Sequence, residues 1–300
     1  MPYRYHTTDV FTNAAFGGNQ LAVLPDARGL TEQQMIAIAR EFNFSETVFV
    51  FPPEQTTNTR RLRIFTPGAE LPFAGHPTVG TAFVLAATGE INLDGDDTRI
   101  IFEEGVGPIP VLIKSRGGKP FFTQLTAAKI PAMLGDTYDP RTIADILSID
   151  VDDIVTGSLA IEAWSAGVPF LFVPVRSRDV LARSRVRMEA WERTLKSSVA
   201  PEIFVFTDEG EHVIRARMFA PTLGISEDPA TGGAVAALGG YLAKRSDVRD
   251  GTLGYSVHQG VEMGRPSLLE LEVDVTAGAV KAVRVGGASV LVSSGNLLVV

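Results

Sequence analysis

The chain has 300 residues, of which 45% are hydrophobic and 21% are charged, and it contains no cysteine. These values are typical of a globular protein with room for two domains, and they exclude disulfides, thiolate nucleophiles and cysteine-based metal sites. The net charge of −8 argues against a nucleic-acid-binding surface. Without disulfides or an apolar signal core, we expect a cytoplasmic protein.

Most of the first half is predicted to form short strands, because apolar and β-branched runs are separated by Gly, Pro or Asn. These strands span residues 3–10, 20–24, 47–51, 61–66, 100–103, 106–114 and 121–124. One amphipathic helix interrupts them. Thr31 and Gln34 form a capping box at its start, and one buried face follows at Met35, Ile38, Ala39 and Phe42.

The second half follows the same plan. Asp139 and Pro140 predict the start of a helix that ends at Leu147, and residues 186–195 predict a charged surface helix. The predicted strands span residues 161–164, 169–175, 203–206, 213–219, 268–275, 279–286 and 289–292.

Two further helices, 77–87 and 233–243, are apolar nearly all round, which predicts that other structure encloses each of them. Residues 71–89 contain no charged side chain, but Pro72, His76 and Pro77 interrupt this run. We therefore expect a buried core helix and no membrane span.

The two halves contain one pattern twice. Arg61-Leu62-Arg63-Ile64-Phe65-Thr66-Pro67 reappears as Arg215-Ala216-Arg217-Met218-Phe219-Ala220-Pro221, and Glu70-Leu71-Pro72-Phe73-Ala74-Gly75-His76 reappears as Glu227-Asp228-Pro229-Ala230-Thr231-Gly232-Gly233. The distance between copies varies through loop insertions, so the pattern indicates a duplication and not a solenoid. We predict an α+β fold of two pseudo-symmetric lobes, each with strands around a central apolar helix, and a cleft between them. The crossover falls within residues 126–139.

Each copy contains an elbow, defined as the glycine-containing turn before its apolar helix: Ala74-Gly75-His76-Pro77 and Thr231-Gly232-Gly233-Ala234. Glycine lets a ligand approach the backbone, and first-turn amides carry partial positive charge. Two elbows therefore favour a site for a carboxylate-bearing small molecule. The alternative is that these glycines only allow tight turns and close packing.

Three side chains near the elbows could carry chemistry. Glu46 stands where a helix ends and an apolar strand begins, so partial withdrawal from water would suit it to proton transfer. A solvated loop carboxylate is the alternative. His76 could be a helix cap, a hydrogen-bond donor to the substrate or an acid–base group, and Asp228 could cap a helix or orient a substrate. The opposite copy has Gly233 and Leu71 at these positions. The four histidines show no metal-ligand spacing, and no dinucleotide or Walker fingerprint is present.

Several motifs in this order resemble the phenazine-biosynthesis (PhzF-like) isomerase family, which is similar in fold to diaminopimelate epimerases. The resemblance covers essentially the whole chain. It rests on Asp9-Val10-Phe11, Gly17-Gly18-Asn19-Gln20-Leu21-Ala22-Val23, Asn43-Phe44-Ser45-Glu46-Thr47, Phe65-Thr66-Pro67, Glu70 through Thr78, Glu227-Asp228-Pro229-Ala230-Thr231-Gly232, Gln259-Gly260 and Met263-Gly264-Arg265-Pro266-Ser267.

The resemblance implies two barrel-like lobes, residues 1–127 and 128–287, with a last strand at about 288–300 returning to the first lobe. It implies a homodimeric isomerase without cofactor or metal, acting on a small carboxylate such as a dihydro-hydroxyanthranilate. Glu46 would be the acid/base, His76 and Asp228 would orient the substrate, and Gly75 and Gly232 would bind its carboxylate through their backbones.

This chain differs from the motifs of the two related families at two places, and these differences restrict the reactions that it could catalyse. The phenazine pattern has a serine where this chain has Gly233, so a hydroxyl contact to the substrate is missing. The related epimerases use a cysteine before each elbow glycine, where this chain has Ala74 and Thr231, so a two-thiol mechanism is excluded. A shuttle by Glu46 remains. The competing hypotheses are a catalytically silent metabolite-binding protein and a lyase or hydratase that uses the same glutamate.

Overall fold

The structure is a computed structural model that describes residues 2–135 and 138–298. The chain divides into an N-terminal unit, Met1–Ala128 with Arg284–Val300, and a C-terminal unit, Lys129–Val283. Within the described ranges, eighteen strands and six α-helices form a mixed, sheet-dominated fold. The predicted fold class is thereby confirmed. Residues 136 and 137 of the predicted crossover and 299 and 300 of the predicted last strand lie outside the described residues.

The N-terminal unit is a curled sheet. Its strands are β1 (Tyr3–Val10), β2 (Asn19–Leu24), β3 (Glu46–Phe51), β4 (Arg60–Phe65), β5 (Glu70–Leu71), β6 (Asp97–Glu104), β7 (Gly107–Arg116), β8 (Lys119–Thr126) and β18 (Ser289–Leu297). Pairing runs in the order β18–β1–β2–β3–β4–β6–β7–β8, with the short β5 added to β4. The β2–β3 and β4–β6 pairs are parallel, and the others are antiparallel. Arg284–Gly287 extend the β8 edge, so this unit's C-terminal segment begins shortly before residue 288.

Helix α2 (Gly75–Ala87) lies inside this sheet. It contacts β1, β2 and β18 as well as β7 and β8, so strands from both ends of the pairing order surround it. Every residue from Gly75 to Ala86 is buried, as its uniformly apolar sequence predicts. Gly80 permits this close approach, because an added Cβ would lie 2.5 Å from a methyl group of Val10. None of the described helices has the length and apolar run needed to cross a bilayer.

The C-terminal unit repeats this topology. Its strands are β9 (Ala132–Leu134), β10 (Glu162–Ser165), β11 (Pro169–Pro174), β12 (Glu202–Asp208), β13 (Val213–Ala220), β14 (Ile225–Asp228), β15 (Gly251–Gln259), β16 (Ser267–Thr276) and β17 (Ala279–Gly287). They pair in the order β9–β10–β11–β12–β13–β15–β16, with β14 on β13. The parallel pairs, β11–β12 and β13–β15, occupy the same places as in the N-terminal unit. The buried helix α6 (Gly232–Ala243) packs on β9, β10, β11 and β16.

One pair of interactions shows that the repeated sequence is also a repeated structure. Arg63 forms an ion pair with Glu70 and lies 5.1 Å from the Phe65 ring centre. In the second copy Arg217 forms an ion pair with Glu227 and lies above the Phe219 ring. Each arginine therefore links two neighbouring strands, β4 with β5 in the first copy and β13 with β14 in the second, and the second strand of each pair leads into the elbow. The elbows are therefore anchored in the same way in both units.

The remaining helices cover the outside of the sheets. Helix α1 (Glu32–Phe42) has the predicted capping box at Thr31, and α3 (Pro140–Leu147) is capped by Asp139 as predicted. Helix α4 (Arg178–Arg183) was not predicted. Helix α5 (Met188–Thr194) is shorter than the predicted 186–195, and it is less exposed than expected, because the Trp191 ring is buried.

Candidate active site

The first elbow joins β5 to α2 in the N-terminal unit. Ala74 is the N-cap residue of α2, and Gly75 and His76 are its first two residues. His76 is therefore not the cap, which was one of its three predicted uses. Among the described side chains none hydrogen-bonds to this helix start as a cap. Its first-turn amides, Gly75 included, can therefore serve a negatively charged ligand.

Glu46 and His76 come together although they are distant in sequence. Glu46 is the first residue of β3, and its Oε2 lies 3.4 Å from Nε2 of His76. The two residues are 7% and 4% exposed, respectively. The prediction that Glu46 is withdrawn from water is therefore confirmed, and its alternative as a solvated loop carboxylate is wrong.

The His76 imidazole is neutral at neutral pH. Burial lowers the pKa of His76 to about 3, and a hydrogen bond with the Gln20 backbone opposes this shift only in part. Nδ1 lies 3.2 Å from the side-chain amide nitrogen of Asn19, the first residue of β2. The tautomer of the ring decides which of these two nitrogen atoms is the donor. Because the ring is neutral, the Glu46–His76 contact is not an ion pair.

The second elbow joins β14 to α6 in the C-terminal unit. Asp228 ends β14 and is 5% exposed, and Gly232 and Gly233 begin α6. The N-cap residue is Thr231, so Asp228 is not the cap. The Thr231 hydroxyl instead donates a 2.5 Å hydrogen bond to Asp228 Oδ2. Asp228 is thereby held in a fixed position at this elbow.

Gly233 has space around its Cα. An added Cβ would lie 3.8 Å from the nearest atom of the Phe170 ring, which is an ordinary van der Waals distance. Packing therefore does not require glycine at this position. The fold would accept a serine side chain at this position, so packing does not explain the missing hydroxyl group.

A buried glutamate holds the first elbow. Oγ1 of Thr78 lies 2.7 Å from the Ala74 carbonyl oxygen and 2.6 Å from Glu104 Oε1. A hydroxyl group has only one proton, so it cannot donate to both. Burial raises the pKa of Glu104 to about 8, so its carboxyl group is protonated at neutral pH and can supply the second proton. Through Thr78, Glu104 thus fixes Ala74, the residue that precedes Gly75.

Gln259 occupies the corresponding place in the second unit. Its Nε2 donates to the Asp228 carbonyl oxygen at 2.7 Å and to the Thr231 hydroxyl at 3.0 Å, and its Oε1 accepts from the Thr231 amide. Gly260, the next residue, approaches Pro229 so closely that a Cβ would lie 2.6 Å from the proline carbonyl oxygen. Both elbows are therefore held from the end of a neighbouring strand.

The sequence prediction assigned no role to Asn19, Glu104 or Gln259. Asn19 and Gln259 stand in motifs that the resemblance used, and Glu104-Gly105 matches Gln259-Gly260 in the repeat. Comparison of the two copies beyond the elbows is the signal that could have identified them.

Cavities of several hundred Å³ occur in both units. One of about 390 Å³ in the C-terminal unit is lined by residues that include Tyr138, Glu162 and Lys244, and no candidate site residue lines it. One of about 330 Å³ in the N-terminal unit is bordered by Glu104. Across the described ranges, His, Asp and Glu side chains do not gather in threes as a metal site would require. The buried groups at the elbows are therefore the better candidates for chemistry.

The chain is similar to known proteins over nearly its whole length. Residues 8–295 match the family described as phenazine biosynthesis-like protein. An uncharacterised isomerase of Mesorhizobium japonicum is 39% identical, over 98% of both chains. The trans-2,3-dihydro-3-hydroxyanthranilate isomerase of Pseudomonas aeruginosa is 33% identical, over 95% of both chains. A Bacillus anthracis protein of the PhzF family superposes with a TM-score of 0.88, at 28% identity and complete coverage of both chains.

The fold with its two elbows and the named relatives define an isomerase. The chain belongs to the phenazine biosynthesis-like protein family. The roles of individual site residues, the homodimer and the cytoplasmic location stay predictions.

Proposed function

We propose that the protein is a cofactor-independent isomerase that moves a proton on a small carboxylate-bearing metabolite, with Glu46 as the acid/base group. The single observation that carries the proposal is the buried Glu46–His76 contact at 3.4 Å. A carboxyl group kept from bulk water beside a neutral imidazole ring is suited to accept and release a proton. The resemblance to a dihydro-hydroxyanthranilate isomerase supports a cyclic, anthranilate-like substrate.

The reaction begins when the Glu46 carboxylate removes a proton from a substrate carbon next to a conjugated system. The C–H bond breaks, an O–H bond forms on Glu46, and the electron pair spreads over the conjugated substrate. A proton is then delivered to a second position, where a new C–H bond forms. Glu46 in its protonated form is able to deliver it, and this returns the group to its starting state. Atoms and charge balance without an oxidant or reductant.

The other site residues bind and orient the substrate in this proposal. His76, whose neutral ring lies beside Glu46, orients the substrate next to this carboxyl group. The amides of Gly75 and Gly232, at uncapped helix starts, bind the substrate carboxylate. Asp228, which Thr231 and Gln259 hold in place, binds an amine or hydroxyl group of the substrate. Gly233 leaves room for a substituent beside this group.

The test compares wild type with Glu46→Gln in D2O, with trans-2,3-dihydro-3-hydroxyanthranilate as the first probe. We expect deuterium incorporation and product formation by wild type, and a loss of both by roughly 10²–10⁴-fold in the variant. Glu41→Gln, at an exposed position at the end of α1, is the matched control and should behave as wild type. Deuterium incorporation that survives Glu46→Gln would reject Glu46 as the base.

Mass spectrometry of the product separates the isomerase from its competitors. Isomerisation in H2O leaves the substrate mass unchanged, whereas a lyase or hydratase changes it. Tight binding of metabolites without turnover or exchange would identify a silent binding protein.

A further inference from the structure

The first elbow is held by a carboxyl group, and the second elbow is held by an amide group at the equivalent position. Glu104 and Gln259 are equivalent in the internal repeat, because β6 and β15 pair in the same parallel register with β4 and β13. Each is followed by a glycine that packs so closely on the proline before its elbow that an added Cβ would collide with it. The frame is therefore the same in both units, but only Glu104 can gain and lose a proton.

Glu104 acts on the first elbow through the hydroxyl group of Thr78. This hydroxyl lies 2.7 Å from the Ala74 carbonyl oxygen and 2.6 Å from Glu104 Oε1. Both contacts are hydrogen bonds only when the carboxyl group donates to Thr78 and Thr78 donates to Ala74. An ionised carboxyl group would attract the Thr78 proton instead, because a charge-assisted hydrogen bond is stronger than a neutral one. Ionisation of Glu104 would therefore remove this hydrogen bond from Ala74.

The Ala74 carbonyl group belongs to the same planar peptide group as the Gly75 N–H. A hydrogen bond to this carbonyl oxygen fixes the direction of the N–H group and polarises it. The backbone amide of Thr78 also lies 3.3 Å from the oxygen, so the hydroxyl group makes the shorter of the two contacts. The proposed function assigns the substrate carboxylate to the Gly75 amide. The Thr78 hydroxyl therefore acts on this binding group without touching the substrate.

Burial decides the protonation state of Glu104. The residue is 8% exposed, and among the described residues its Oε2 has no hydrogen-bond partner. The charged residues that share its cavity are Glu54, Arg61, Arg63, Glu70 and Glu103. Both arginines are paired with glutamates of this lining, and Glu103 accepts hydrogen bonds from two backbone amides. The titratable residue on α2 nearest to Thr78 in sequence is His76, which is neutral. Burial raises the pKa of Glu104 to about 8, so both of its protonation states are accessible near this pH.

We propose that Glu104 is a positioning residue of this isomerase, which in its protonated form orients the Ala74–Gly75 peptide group towards the substrate carboxylate. This inference rests on the proposed function, which assigns the carboxylate to the Gly75 amide. When Glu104 loses its proton, the carboxylate is bound more weakly, so affinity for the substrate falls in alkaline solution. The effect concerns substrate binding and not the proton transfer by Glu46.

The test measures the binding of a ligand that cannot react. The probe is 3-hydroxyanthranilate, which keeps the carboxylate, amino and hydroxyl groups of the dihydro compound but has an aromatic ring without a proton to move. Calorimetric titration gives its Kd at pH 7 and at pH 9. With a pKa of about 8, protonated Glu104 falls from about nine tenths to about one tenth of the molecules between these pH values. Wild type should therefore bind about tenfold more weakly at pH 9.

Glu104→Gln is the conservative variant, because it keeps a donor for Thr78 but cannot ionise, like Gln259 in the second unit. All other titrating groups, including those of the ligand, are the same as in wild type. The fall in affinity between pH 7 and pH 9 should therefore be about tenfold smaller than in wild type. Glu41→Gln, at an exposed position on α1, is the matched control and should keep the fall seen in wild type. The same pH dependence in wild type and Glu104→Gln would overturn the inference.

Two variants of Thr78 test the route of the effect and do not depend on the folding of Glu104→Gln. Thr78→Val removes the hydroxyl group, so its affinity at pH 7 should already be as low as that of wild type at pH 9, with no further fall. Thr78→Ser keeps the hydroxyl group and should restore the fall. A tenfold fall that persists in Thr78→Val would show that Thr78 does not transmit the effect, and the inference would be wrong.

Turnover distinguishes positioning from a purely structural role. From pH 7 to pH 9, KM for trans-2,3-dihydro-3-hydroxyanthranilate should rise about tenfold more in wild type than in Glu104→Gln, while kcat changes equally in both. A structural residue would instead change kcat and the melting temperature together with KM.

Failure of the inference and failure of the proposed function give different results. Deuterium incorporation that survives Glu46→Gln rejects the assigned base but leaves the binding profile of Glu104→Gln as it is. Equal binding profiles in wild type and Glu104→Gln reject the role of Glu104 and leave Glu46 as the base. If wild type binds no 3-hydroxyanthranilate at either pH, both the role of Glu104 and the assignment of the carboxylate to Gly75 are wrong.

Discussion

Glu46 and His76 form a buried pair in which Oε2 and Nε2 are 3.4 Å apart. The histidine contributes a neutral ring and not a positive charge, because its burial opposes protonation. A neutral partner does not stabilise the ionised form of a carboxyl group as strongly as a cation would. The acid/base role that we propose for Glu46 requires both protonation states of this group.

The neutral His76 predicts a dependence of stability on pH. The unfolded chain protonates this residue below its usual pKa of 6.5, whereas the folded chain does so only near pH 3. The unfolded state therefore binds more protons between these values, and stability falls as the pH falls from 6.5. Relative to His76→Gln, wild type should lose up to roughly 2 kcal/mol of unfolding free energy between pH 6.5 and pH 5. Urea unfolding at both pH values measures this difference.

His212→Gln, at an exposed position, is the matched histidine-to-glutamine control for the same experiment. An equal difference between wild type and His76→Gln at both pH values would show that His76 gains its proton in the folded state.

The raised pKa of Glu104 predicts a dependence of stability on pH in the opposite direction to that of His76. Its pKa is raised from 4.5 to about 8 in the folded state, so the folded chain retains a proton that the unfolded chain releases. Stability from this group is therefore present below pH 4.5 and is lost as the pH rises towards 8. Glu104→Gln keeps a donor for Thr78 and cannot ionise. We expect its melting temperature to exceed that of wild type at pH 8 and to converge with it near pH 5. A constant offset across this range would contradict protonation of Glu104.

Gly233→Ser tests whether the missing hydroxyl group sets substrate preference. The space around this residue accepts a Cβ, and serine is a better helix former than glycine by roughly 0.5 kcal/mol. The variant should therefore fold with an unchanged or slightly higher melting temperature. We expect it to raise kcat/KM for trans-2,3-dihydro-3-hydroxyanthranilate, with Gly233→Ala as the control that adds a methyl group only. Equal kcat/KM for the serine and alanine variants would show that the hydroxyl group has no part in recognition.

Helix caps and buried helices were predicted correctly where the residues that determine them are neighbours in the sequence. The Thr31 and Asp139 caps were correct because a cap and its partner stand within three residues of each other. The buried helices α2 and α6 were correct apart from their first residues, because an all-round apolar sequence excludes a surface position. Strand β15 (Gly251–Gln259) was missed, because its two glycines and exposed polar residues obscure the alternation of Leu253 and Val257.

The candidate site was predicted in part. Glu46 and His76 were both identified as candidate site residues, but their contact was not predicted, because it joins segments that are far apart in the sequence. Asn19 and Glu104 were missed, because their contacts with His76 and Thr78 join strands and helices that are far apart in sequence.

The sequence by itself determined the duplication, the two enclosed helices and the elbows, since these follow from residue spacing and side-chain polarity over a few turns. Only the tertiary structure decided which polar groups meet and which charges they carry. Burial depends on the strands that surround a residue, and it is burial that keeps His76 neutral and Glu104 protonated.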